Sequence, residues 1–111
     1  MEVNVGNEES KYGFSFEEVL PVVEEVANLP MITVRGLMCV APITENPETN
    51  RPLFHKMGEL LVDIRSKNRD NVKADFLSMG MSKDYQVAIE EGATQVRVGT
   101  ELFGPREYKG V

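Results

Sequence analysis

The sequence predicts an α/β fold built on parallel strands. Three observations carry that expectation. Short apolar runs of strand length alternate with longer segments of helical periodicity, in the order β-α-β-α-β-α-β. Helical segments of that length are what a crossover between parallel strands requires. The last two strand-like runs each end in a small, Gly-bearing turn with hydroxyl side chains. The 111 residues suit one domain, spanning 1–111.

Residues 2–5 read as a short strand already under way at the start of the sequence. A polar, turn-rich stretch follows over 6–13. Ser15 with Glu18 three residues later makes a capping box, and Phe16, Val19, Leu20, Val23 and Val26 or Ala27 then recur at helical spacing. Pro21 falls in the first turns of this helix, where proline is tolerated better than further in. Asn28, Leu29 and Pro30 end it. Residues 31–41 form a nearly continuous apolar run, as expected for a strand buried on both faces.

After a loop over 42–50, a helix is expected over 51–67, with Leu53, Phe54, Met57, Leu60, Leu61 and Ile64 on one stripe. A strand is expected over 74–77. Ser82 then caps a helix that Gly92 stops. A last strand is expected over 94–98, and a short helical turn over 103–108. Four parallel strands make either a small open sheet or half of an eight-stranded barrel, which would leave two edges unpaired.

Composition narrows the function. The 18 acidic and 12 basic residues leave a formal charge of −6. That balance argues against non-specific nucleic-acid binding, which needs cations for phosphates, and against an anionic membrane surface. No apolar run approaches a membrane span, and the start of the chain lacks the blocks of a signal peptide. The single cysteine, Cys39, fits a reducing compartment, so the expected location is the cytoplasm. It lies in an apolar run and reads as a buried small hydrophobe. His55 has no partner at zinc spacing and reads as exposed on a helix flank, so no metal site is expected.

The two turns are the best candidates for chemistry. Ser78-Met79-Gly80-Met81-Ser82 leads from a strand to a helix start, where backbone N–H groups and the helix dipole favour anions. Arg97-Val98-Gly99-Thr100 offers the same features plus a fork-shaped cation. Together they read as a phosphate cradle. Separately they read as plain tight turns and a helix cap. Asn4 ends the first strand and is either structural or directed into a barrel mouth. Met38, Met57, Met79 and Met81 belong to the core or to a cofactor wall. The adjacent pairs Glu8-Glu9, Glu17-Glu18, Glu24-Glu25 and Glu90-Glu91 read as solvated faces, since neighbours on a helix do not face each other.

The run "FLSMGMSKDYQVAIEEGATQVRVGTELFGPREY" resembles the C-terminal signature of the pyridoxal phosphate homeostasis proteins, whose fold is similar to the N-terminal barrel of alanine racemase. "VNVGNEESKYGF" and "RGLMCVAPITENPETNRPLFHKMGEL" resemble the same family in matching order, so the resemblance covers essentially the whole chain. It implies the last four strands of a TIM-type (β/α)8 barrel, that is, a parallel half-barrel. It also implies a carrier of pyridoxal 5′-phosphate without catalytic turnover. By that resemblance Ser78, Met79, Gly80, Ser82, Gly99 and Thr100 hold the cofactor phosphate, and Arg97 lies near the cofactor.

The family's Schiff-base lysine belongs to an N-terminal half this chain does not contain. The lysines here are Lys11, Lys56, Lys67, Lys73, Lys83 and Lys109; none is expected at the end of a core strand, and Lys11 is expected at the rim. A racemase-like enzyme would need that lysine and an acid/base residue on the other cofactor face, and neither is found. The implied partners are the cofactor and either a second copy of the chain or a complementing N-terminal half-barrel.

Overall fold

The computed structural model describes residues 1–9 and 11–104. Three parallel strands form one sheet in the order β1-β2-β3: β1 is Val34–Met38, β2 is Val72–Met81 and β3 is Gln95–Arg97. The helices are α1 (Phe16–Val26), α2 (Arg51–Ser66), α3 (Tyr85–Glu90) and α4 (Gly99–Phe103), with a 3-10 turn at Pro47–Asn50. The fold is α/β with a parallel sheet, as expected.

The expected first strand is only partly a strand. Glu2 and Val3 make isolated parallel bridges, to Met38 and to Phe14. The Val3 amide donates to the Met38 carbonyl at 2.8 Å and the Phe14 amide to the Glu2 carbonyl at 3.0 Å. The chain thus lies beside β1 but soon turns back on itself. The strand expected over 31–41 is shorter than its apolar run. Asn71 explains this, because its amide donates to the carbonyls of Val26, Leu29 and Ile32 and holds that stretch as a turn.

The strand expected over 74–77 is longer, running as β2 from Val72 to Met81. It runs through Ser78, Met79 and Gly80, which the sequence reading placed in a turn. Gly80 has φ +105°, and a Cβ there would lie 2.8 Å from the Ala88 Cβ and 3.0 Å from the Tyr85 Cα. The glycine is needed so that α3 can pack against the strand. For the same reason α3 starts at Tyr85 with Asp84 at its N-cap, and Ser82 is not the cap. The last helix begins at Gly99, and the remainder of the turn expected over 103–108 lies outside the described residues.

Other local signals hold. The Ser15 hydroxyl accepts from the Glu18 amide at 3.3 Å, and the Ser15 amide donates to Glu18 Oε1 at 3.0 Å. These bonds hold the Glu18 carboxyl below its usual range. Gly92, with φ +105°, stops α3.

Helices cover one face of the sheet. Val34, Leu37, Cys39, Val72, Leu77 and Met79 are buried there with Phe54, Met57 and Ile64 of α2 and Val19 and Val23 of α1. Phe76 is 37% exposed, so the alternate side chains of β2 are not all covered. Among the described residues, no helix is long and apolar enough to cross a membrane.

Gly36 sets the closest approach in the sheet. It pairs with Phe76, and a Cβ at Gly36 would fall 1.9 Å from the Phe76 carbonyl oxygen. Gly36→Ala must therefore push β1 off β2. The expected loss is about 1–3 kcal/mol in urea unfolding, the usual cost of overpacking, and an unchanged midpoint would show that the strands give way freely.

A surface network ties α2 to α3. Arg51 reaches Glu48 at 2.6 Å, Glu90 at 2.7 Å and Glu91 at 2.9 Å, and His55 lies 3.0 Å from Glu91 and 3.2 Å from Glu59. Hydrogen bonds from Arg51 hold the Glu48 and Glu91 carboxyls below their usual value of 4.5. Their contribution is whole above that unfolded value and is lost as pH falls through the lower folded values. Thermal melting from about pH 5 to 3 should lose stability less steeply in Arg51→Met than in the parent; parallel curves would show that the network contributes nothing.

Candidate functional site

Parallel strands deliver all their C-terminal loops to one end of the sheet. At that end lies a cleft of about 530 Å³. One wall comes from the loop after β1, with Pro42, Ile43, Thr44 and Pro47. The facing wall is the turn after β2, with Met81, Ser82 and Lys83. Arg97, Gly99 and Thr100 bring in the end of β3 and the start of α4, and Phe103 with Gly104 reaches the rim. Much of the lining is apolar, and Ile43 and Phe103 stand out in solvent at 84% and 86% exposure.

Arg97 is the main polar group. Its Nη1 donates to Ser78 Oγ and its Nη2 to the Cys39 carbonyl, both at 2.7 Å. Its Nε is buried and finds no acceptor among the described residues. One side chain of β3 therefore touches β2 and the end of β1 and keeps one buried N–H unused. A buried N–H without an acceptor is costly and stands out in a folded protein.

The seven residues expected to hold a cofactor are separated by the fold. Ser82, Arg97, Gly99 and Thr100 meet in the cleft. Ser78 stands behind them as an acceptor for Arg97. Met79 is wholly buried in the core. Gly80 is buried against α3, whereas a Cβ built on Gly99 meets nothing within 4 Å among the described residues. Space for a close approach to backbone thus exists at Gly99. Val98, at the N-cap of α4, provides no side-chain cap, and the first N–H groups of a helix lack partners within it.

Lys11 lines the cleft, as a rim residue was expected to, and pairs with Glu8 at 3.9 Å. Lys83 also lines it, just past the end of β2 at Met81, whereas no lysine was expected at the end of a core strand. Lys83 is next to Ser82 in the same motif, which was the available signal. Asp84, 8% exposed, accepts from the Met81 amide at 2.8 Å. Asn4 is structural: it donates to the Glu8 carbonyl at 2.7 Å and accepts from the Glu8 amide at 3.1 Å, closing its own loop. His55 is exposed as expected, but it belongs to the surface network with Glu91. No group of three or more His, Cys, Asp or Glu among the described residues could hold a metal ion.

Burial pushes the Cys39 thiol up to about 12, although the Arg97 charge opposes the shift. Cys39 is fully buried. Iodoacetamide labelling of the folded protein at pH 8 should run at least roughly a thousandfold slower than for a free thiol, because the thiolate fraction is that much smaller. Rapid labelling would show that the base of the cleft opens in solution.

The alanine racemase N-terminal domain family matches residues 1–107. A pyridoxal phosphate homeostasis protein of Aquifex aeolicus is 50% identical over 108 residues, 97% of this chain and 46% of that protein. One from Pseudomonas aeruginosa is 43% identical and is covered over 44% of its length. The structure of PipY from Synechococcus elongatus without PLP superposes with a TM-score of 0.82 at 30% identity, over 94% of this chain and 48% of PipY. PipY with PLP bound gives 0.74 at 31% identity. The chain spans about half the length of the relatives it matches. With a parallel α/β sheet, a cleft at the strand ends and a match over nearly every residue, the chain belongs to the alanine racemase N-terminal domain family.

Proposed function

We propose that the cleft binds pyridoxal 5′-phosphate and that the protein serves cofactor homeostasis as a carrier, without turnover. The observation that carries this reading is the buried, acceptor-less Nε of Arg97 at a cleft of about 530 Å³. The residues present suit the group. Backbone N–H groups at Gly99 and the hydroxyls of Thr100 and Ser82 suit a phosphate at a helix start. Apolar side chains such as Val40, Ala41 and Met81 suit a flat ring. When bound, the cofactor supplies an aldehyde that condenses with primary amines.

The chain's own residues favour holding over turnover. Arg97 is held by Ser78 and Cys39, Asp84 is occupied by its hydrogen bonds, and the Cys39 thiol stays protonated. In this reading the relatives' Schiff-base lysine lies in the half of their length that this chain does not match. Lys11 and Lys83 are then rim amines. The same length argument supports a half-barrel completed by a second copy or by a separate complementing half. Phe76 and Met81 are 37% and 40% exposed, and β3 has a strand neighbour on one side only. Light scattering across a concentration series should show association; a cooperatively folding monomer at every concentration would rule out pairing of copies.

The direct test is an absorbance titration with pyridoxal 5′-phosphate, competed with inorganic phosphate. Arg97→Ala and Thr100→Val should each weaken binding about 10- to 150-fold, the loss of a charge-assisted hydrogen bond of roughly 1.5–3 kcal/mol. Parental affinity in both variants would overturn the cradle. Borohydride trapping and peptide mapping should find no single stoichiometric lysine; one uniquely labelled lysine would instead identify an anchor within this chain.

A further inference from the structure

We propose that Asn50 and Asp84 are positioning residues, a buried amide–carboxylate clamp that holds the two walls of the cleft at one separation. The proposal deepens the reading of the cleft as a ligand site and rests on it for its consequence, but the clamp itself is a claim about the fold.

Asn50 and Asp84 are the two buried polar side chains among the described residues, at 2% and 8% exposure. Both occupy N-cap positions, Asn50 of α2 and Asp84 of α3, and both are residue types that normally cap there. Neither makes a side-chain capping bond. Each gives up that local stabilisation for tertiary bonds. Asn50 Nδ2 donates to the Pro42 carbonyl at 2.9 Å and to Asp84 Oδ2 at 3.1 Å. Asp84 Oδ1 accepts from the Met81 amide at 2.8 Å.

The result is a continuous path from Pro42 through Asn50 and Asp84 to Met81. Pro42 begins one wall of the cleft and Met81 begins the other. Asn50 does not line the cleft, so any effect it has on a ligand passes through the walls. The clamp has an electrostatic role too. Asp84 borders a cleft read as binding an anion, and donors on both its oxygens offset a charge that would otherwise oppose the ligand.

Asn50→Leu removes both donated bonds at similar volume. Amide exchange should then rise about tenfold or more at Met81 and across residues 43–46 together, while the buried turns of α2 keep their protection. Affinity for pyridoxal 5′-phosphate and inorganic phosphate should fall about tenfold. Asn50→Asp sets two carboxylates face to face and should be worse. The double swap Asn50→Asp with Asp84→Asn restores a donor facing an acceptor between the two side chains and keeps an acceptor for Met81, but it leaves the Pro42 carbonyl without its donor. Relative to Asn50→Asp it should restore the protection of Met81, while residues 43–46 on the Pro42 side stay deprotected, a split between the walls that a general packing role would not produce.

Asp84→Asn alone, which sets amide against amide, replaces Asn50→Leu if the latter does not fold. Exchange rising at one wall only in Asn50→Leu, or a double swap that protects Met81 no better than Asn50→Asp does, overturns the clamp. If the parent binds neither probe, the cofactor reading fails, and the coupled exchange of the two walls still decides the clamp.

Discussion

The guanidinium of Arg97 joins the C-terminal ends of all three strands. It starts on β3, meets a side-chain oxygen on β2 and ends on a backbone carbonyl just past β1. Sheet ladders connect neighbours in pairs, and here one side chain spans the outer two across the middle one. The cleft floor depends on that span, because each strand contributes the loop that follows it. The same charge lies close enough to oppose the rise in the Cys39 thiol, yet desolvation prevails and the thiol stays protonated. Two of the guanidinium's nitrogens are committed to the protein, and the buried Nε has no acceptor among the described residues.

Above that floor, α2 and α3 are connected twice by different physics. The Asn50–Asp84 contact is buried, so its bonds are not replaced by water when broken. The Arg51 network is on the surface, where a single pair contributes little. It gains weight because one forked cation serves three carboxylates and Glu91 is shared with His55. The first ties the start of α2 to the start of α3, beside the loop and the turn that form the cleft walls, and the second ties it to the far end of α3.

The sheet is finished on one side. Its helix-facing side has wholly buried residues, Cys39 and Met79 among them, while Phe76 keeps more than a third of its surface. Relatives of about twice the length superpose on this chain over roughly half of their own. The proposed carrier function would use the end of the sheet, where the cleft lies, rather than that open face.

Much of the architecture was legible as local pattern. The capping box of Ser15 and Glu18, the stripe of α2 and the stop at Gly92 repeat at spacings set by helical geometry, so neighbouring residues suffice to reveal them. Gly80 was misread because a glycine among small polar residues signals a turn, whereas here it answers to the side chain of Ala88, visible only once α3 packs on β2. Asn71 was silent for a like reason: its three acceptors lie some 40 residues away in the chain. By itself the sequence determined the alternation of helices and strands, the parallel α/β class, the family and four residues of the cleft, Ser82, Arg97, Gly99 and Thr100. Tertiary structure decided the strand limits, the α3 cap, the cleft walls and the partners of Arg97, Asn50 and Asp84. The most telling of those bonds, Asn50 to Asp84 and Arg97 to Cys39, join groups 34 and 58 residues apart, and contacts at that separation leave no periodic trace in the chain.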